Sequence, residues 1–133
     1  MTRFAIDAHV AARLVTDGLT VPAEHALVGP QLLRSDALAL LYRAARAGEI
    51  DEARRRALLD GLAELRIRLL GDRVSRAVAW TIATDLGWDD THSAEYLAVA
   101  RLQADVLVTL DPDLARAAAG IVPTATFDDL VTR

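Results

Sequence analysis

At 133 residues and 53% hydrophobic, the chain suffices for one domain with a sizeable core and is too short for two comfortable ones. The net charge of −4 argues against a generic electrostatic nucleic-acid binder, while leaving room for a nuclease with local arginines and a metal-neutralised site. Cysteine is absent and all fifteen basic residues are Arg, which excludes disulfides, thiolate metal sites and any mechanism that needs a lysine.

The sequence opens without a basic segment leading into an apolar stretch, and no apolar run approaches the ~20 residues of a membrane span. A single domain over residues 1–133, cytoplasmic and without a membrane segment, is the expectation. Phe4, Ala5 and Ile6 predict a short buried strand running directly into Asp7. An Asp there lies where open α/β sheets bind ligands, above the strand tips, or else caps the helix that follows. Residues 8–15 keep helical spacing and stop near Asp17 and Gly18. A Pro-containing link at 21–24 leads to a second strand over 25–30, closed by Gly29-Pro30. Leu33, Ala37, Leu40, Leu41 and Ala44 predict a helix from Leu32 to Gly48, with Ser35 and Asp36 in its first turns. Asp51 caps another that ends near Glu64.

Residues 65–70 alternate apolar side chains with Arg, the period-two mark of a half-exposed strand at or near a sheet edge. Helices are expected from Asp72 to Gly87 and from about Thr91 to Leu102. Residues 105–110 form the clearest buried strand, which again ends in an Asp, Asp111, with Pro112 at a first helical position. Residues 121–123 read as a last short strand and 127–130 as a final turn. Strands alternating with helices predict an α/β fold, a three-layer α/β/α sandwich around a mainly parallel sheet.

In a parallel sheet the tips carrying Asp7 and Asp111 share one edge. Asp36 is expected to face the same edge, as are Asp89 and Asp90 ahead of the helix at Thr91. Carboxylates gathered there repel one another unless cations hold them together. Hard divalent ions with oxygen ligands, Mg²⁺ or Mn²⁺, suit such a group and can activate water and stabilise a phosphodiester transition state. Any one of these Asp residues alone reads as a helix cap or turn residue. Asp7 and Asp111 together, both at strand tips, read as a site.

Four stretches carry a family likeness. They are Phe4-Ala5-Ile6-Asp7-Ala8; Pro30-Gln31-Leu32-Leu33-Arg34-Ser35-Asp36; Ala94-Glu95-Tyr96-Leu97-Ala98-Val99-Ala100; and Val108-Thr109-Leu110-Asp111-Pro112-Asp113-Leu114-Ala115-Arg116. With these, the chain resembles the PIN-domain ribonucleases over nearly its whole length, specifically the toxins of VapBC-type toxin–antitoxin pairs. The resemblance implies a PIN-like fold, Mg²⁺- or Mn²⁺-dependent cleavage of RNA at an acidic cluster, and a homodimer. It also implies a cognate antitoxin whose tail lies across the groove. By position, Asp7 and Asp111 match the first and last family acids, and Asp36 stands where Glu is commoner. The third acid, expected directly before Ala94, is here Ser93. Asp90 lies three residues before Ser93 and on the same face if the helix includes it; Glu95 points well around the helix. Asp90 is therefore the better substitute, with a capping role equally open. The expected catalytic and metal-binding set is Asp7, Asp36, Asp90 and Asp111.

Thr109 reads equally as a hydrogen-bond partner of a site carboxylate and as a β-branched strand residue. His92, His9 and His25 read as solvated. Trp80 and Trp88 read as core or dimer contacts rather than base-stacking platforms. Arg54, Arg55 and Arg56 read as a solvated helical face, with an RNA backbone or an acidic partner as the rarer alternative.

Three other classes lack their required residues. A haloacid-dehalogenase-type phosphatase needs an Asp at the position of His9, and a response-regulator receiver needs a late Lys. A dinucleotide fold needs glycines after the first strand. The stronger rival is a catalytically weakened PIN-like protein that acts mainly by binding antitoxin or RNA.

Overall fold

The computed structural model describes all 133 residues. Its centre is β1 (Thr2–Ile6), in which Phe4, Ala5 and Ile6 are all buried, because helices cover both faces of the strand. Asp7 leaves the strand in an extended conformation, and its side chain accepts from the Val10 N–H, opening α1 (Ala8–Thr16). Val10, Ala11 and Leu14 form the buried stripe of that helix.

The next strand, β2 (His25–Pro30), pairs with β1 in parallel and leads to α2 (Leu33–Arg46). Gly29 is needed at this junction: a Cβ there would stand 2.7 Å from Leu33 Cδ1, inside the buried first turn of α2. A 3-10 turn (Glu52–Arg54), capped by Asp51, continues into α3 (Arg55–Glu64) and then β3 (Arg68–Leu70). Only residues 68–70 of the alternating stretch join the sheet. Before them, the Leu62 and Leu65 carbonyls accept from the Arg34 guanidinium of α2, so a side chain occupies part of the chain's approach to the sheet.

An Asp72–Ser75 capping box starts α4 (Arg73–Leu86), and Gly87 ends it in the left-handed conformation. There follow α5 (His92–Gln103), β4 (Val106–Val108), α6 (Pro112–Ala118) and α7 (Phe127–Val131). α5 buries Ala94 and every residue from Tyr96 to Ala100, since it lies between the sheet and α4. The last strand expected, at 121–123, shrinks to a single parallel bridge between Thr124 and Leu107. The expected final turn is the short helix α7, capped by Thr126.

The sheet order is β3-β2-β1-β4, with every pairing parallel. The chain thus steps outward from β1 to β3, then crosses back to place β4 on the other side of β1. Right-handed crossovers put α1, α2 and α3 on one face and α4 and α5 on the other. The result is the three-layer α/β/α sandwich the alternation predicted. No helix is long and apolar enough to cross a membrane.

Candidate functional site

The reversal of strand order puts a topological switch point between β1 and β4, where open parallel sheets form a crevice above the carboxyl ends of their strands. A cleft of about 300 Å³ opens there, and its lining includes Asp7, Asp36 and Asp111. These carboxylates come from the tip of β1, the first turn of α2 and the residue that caps α6.

Asp7 is the one charged residue buried in the protein, with 3% of its surface exposed. Its Oδ1 accepts from the Val10 N–H at 2.8 Å and its Oδ2 from the Thr109 hydroxyl at 2.5 Å. Thr109 Oγ1 in turn accepts the Asp111 N–H at 3.0 Å, so one side chain after β4 ties two acids to each other. Of the two readings of Thr109, the hydrogen-bonded one describes the molecule. Asp111 Oδ1 accepts from the Asp113 N–H and caps α6, with Pro112 at the first helical position.

Asp36 is held differently. Its Oδ2 accepts from the Tyr96 hydroxyl at 2.7 Å and lies 2.7 Å from His92 Nε2, both side chains reaching over from α5. Burial, and secondly the bond to Asp36, push the Tyr96 phenol far above its usual range, so it stays a neutral donor. His92 is thus solvent-exposed, as its sequence position suggested, and in addition a partner of Asp36. His9 has an exposed ring, with Nδ1 3.6 Å from Asp7 Oδ2 on the same cleft. His25 departs from the solvated expectation: its Nδ1 lies 2.8 Å from the Leu130 carbonyl and its ring lies against Phe4.

Asp90 does not join the other three. Its carboxylate accepts from the His92 N–H at the start of α5, the capping role left open by the sequence. It lines an adjoining depression with Trp88, Asp89 and Asp113, which shares Ser93, Asp111 and Leu114 with the main cleft. Ser93 is exposed where the two meet, and Glu95 lines neither. Trp88 packs half-buried against the core, whereas Trp80 is 72% exposed and no part of it. Arg54, Arg55 and Arg56 are exposed, Arg54 donating to the Thr16 carbonyl and Arg55 pairing with Glu52.

The donor types in the cleft suit a hard divalent cation. Their arrangement does not: no group of three or more His, Asp or Glu side chains lies close enough to hold an ion, and every buried side-chain nitrogen and oxygen already has a partner. Asp36 would have to leave His92 and Tyr96, and Ser93 brings no charge.

No protein family's profile matches the chain, and no curated protein matches it. Among solved structures, the crystal structure of PAE2754 from Pyrobaculum aerophilum is similar, with a TM-score of 0.69 and 22% identity. The match covers 98% of this chain and 93% of that one, and likeness at this identity shows the shared fold alone.

Proposed function

We propose that this protein is a ribonuclease of the PIN toxin type that cuts RNA phosphodiester bonds at the cleft of Asp7, Asp36 and Asp111. The observation that carries the reading is the meeting of these three carboxylates, from segments far apart in the chain, at one crevice over the switch point of a parallel sheet. As placed, the three acids are not close enough together to hold an ion; Mg²⁺ or Mn²⁺ would supply water activation and charge neutralisation only with Asp36 turned away from His92 and Tyr96. The chain's own part is positional. Thr109 fixes Asp7 relative to Asp111, and Asp36 is held at the opposite wall by His92 and by Tyr96, a neutral donor.

The test is cleavage of RNA in Mg²⁺ or Mn²⁺ by the wild type and by Asp7→Asn, whose amide keeps the shape and removes the charge. Loss of activity by about 100-fold or more supports the proposal. Equal trace activity in both defeats it. The same reading carries a homodimer and a cognate antitoxin, checked by sedimentation and by co-purification with the product of the adjacent reading frame.

Ser93 at the expected acidic position, together with the bonds that occupy Asp36, favours a second reading. In it the protein is catalytically weakened and acts mainly by binding antitoxin or RNA, with an arginine of the bound partner satisfying the carboxylates bidentately. Equal traces in the cleavage assay, with RNA or antitoxin still bound, favour this reading.

A further inference from the structure

We propose that Arg43 receives the phosphate backbone of a single-stranded RNA as it enters the acidic cleft. The assignment deepens the ribonuclease reading and rests on it.

Four residues of α2 line the cleft: Asp36, Ala39, Leu40 and Arg43. Their spacing of i, i+3, i+4 and i+7 is one face of a helix, so α2 forms a wall with an acid at one end and a cation at the other. Two helical turns, about 10 Å, separate the two ends. Leu33, Ala37 and Leu41 bury the adjacent face, about a third of a turn round the helix, in the core, which fixes the rotation of the helix and hence the direction of the wall.

Arg43 is the one arginine on the cleft lining, and its guanidinium makes no ion pair and no hydrogen bond. Other arginines are free too, Arg46, Arg56 and Arg101 among them, but they line other parts of the surface; what sets Arg43 apart is its place on the cleft. A free, planar, permanently charged fork on the same cleft as three carboxylates, but out of ion-pair reach of them, is a receptor for a phosphodiester, which it can bind bidentately. The need for it follows from charge. With −4 overall, the protein has no long-range field to draw in a polyanion, so an RNA strand needs a local cation to approach the acids.

Strandedness follows from size. The cleft of about 300 Å³ admits a splayed nucleotide, with Leu40 and Ala39 as its apolar contact. A duplex keeps its bases stacked inside and its backbone on a rigid surface, so it cannot fold a nucleotide into such a space without first being opened.

The test measures binding of a labelled, unstructured RNA oligonucleotide by fluorescence anisotropy across a salt series, with a chelator present so that no cleavage occurs. Arg43→Gln is expected to weaken binding about fivefold and to reduce the slope of log K against log salt by about 0.7, the share of one phosphate contact on a single strand. Arg43→Lys restores most of the slope by restoring the charge. An RNA duplex is expected to bind more weakly and with equal affinity to all three proteins. Arg43 is exposed, so its replacement leaves the thermal unfolding midpoint in place and loss of fold does not account for the effect. If the wild type binds the oligonucleotide and Arg43→Gln has the same affinity and slope, this assignment falls and the ribonuclease reading stands. If the wild type binds no RNA, both fall. An acidic peptide that needs Arg43 while RNA does not also overturns the assignment.

Discussion

The two walls of the cleft hold their carboxylates by different means. Asp7 is gripped by the fold itself: a buried helix-start N–H on one oxygen and, on the other, a half-buried threonine directly after the neighbouring strand. Asp36 is reached only by two side chains of α5, one of them half-exposed. The first acid is thus part of the structure's own hydrogen bonding, and altering it disturbs the sheet tip and α1 together. The second is set by contacts that a side-chain rotation can undo. Of the two, Asp36 is the acid free to turn toward a ligand.

The largest test of this contrast is to remove each acid in turn. Asp7→Ala deletes the cap of α1 and strands the Thr109 hydroxyl, for an expected loss of about 3 kcal/mol in urea unfolding. Asp36→Ala is expected to lose about 1 kcal/mol or less, because Asp36 and His92 are nearer water than Asp7. Equal losses would erase the distinction between the walls.

Next comes the link between Asp7 and Asp111. Thr109→Val keeps the shape but leaves Asp7 Oδ2 and the Asp111 N–H without their partner, and about 2 kcal/mol of stability should go with it. Thr109→Ser should remain close to the wild type. A Val variant as stable as the Ser one would show that the bridge contributes nothing.

Ser93→Asp sharpens the contrast from the opposite wall by adding charge between the cleft and the adjoining depression. Mn²⁺ binding followed by calorimetry is expected to tighten about tenfold, equivalent to about 1.4 kcal/mol. An unchanged titration counts against the placement of Ser93 at a lost acid.

The smallest effect concerns Tyr96, whose phenol burial and Asp36 raise above the usual 10.0. Stability from this group is complete below pH ~10, where tyrosine in the unfolded chain is still protonated. It falls as pH rises past that point, because the unfolded chain then releases a proton the folded one retains. Tyr96→Phe should cost about 1 kcal/mol near neutrality and flatten the alkaline fall. The reading is checked by unfolding midpoints measured from pH ~7 to ~11; an equally steep fall in the variant would sink it.

The parts of this site that the sequence reveals are those in which local pattern and position coincide. Asp7 and Asp111 follow short apolar runs that suit buried parallel strands, and a parallel sheet then brings their ends to one edge. Thr109 was ambiguous because a threonine suits a strand with or without a partner. His92 was out of reach of any local pattern. Its contact with Asp36 joins residues 56 apart in sequence and exists only because α2 and α5, on opposite faces of the sheet, both begin at the cleft above the strand tips. At Asp90, two roles fitted the same spacing, and the nearby His92 N–H, left open by the first turn of α5, takes the carboxylate.

For the fold, the alternation of strands and helices and the parallel sheet were readable from period and punctuation. Strand lengths were not. The apolar–Arg alternation at 65–70 satisfies a strand pattern throughout, yet Arg34 claims two carbonyls on that approach. The strand at 121–123 contracted to one bridge at Thr124, just past Pro123, whose ring nitrogen has no N–H to offer a ladder.

Those shortened strands decide how a second copy of the chain can attach. One margin of the sheet is the three-residue β3, with Arg68 exposed on it, and beyond β4 the other is covered by the lone bridge at Thr124. Neither offers the long row of free amides and carbonyls from which a foreign strand could continue the ladder. Any self-association would then fall to surfaces other than the sheet edges, and strand addition from another chain finds only short, interrupted templates here.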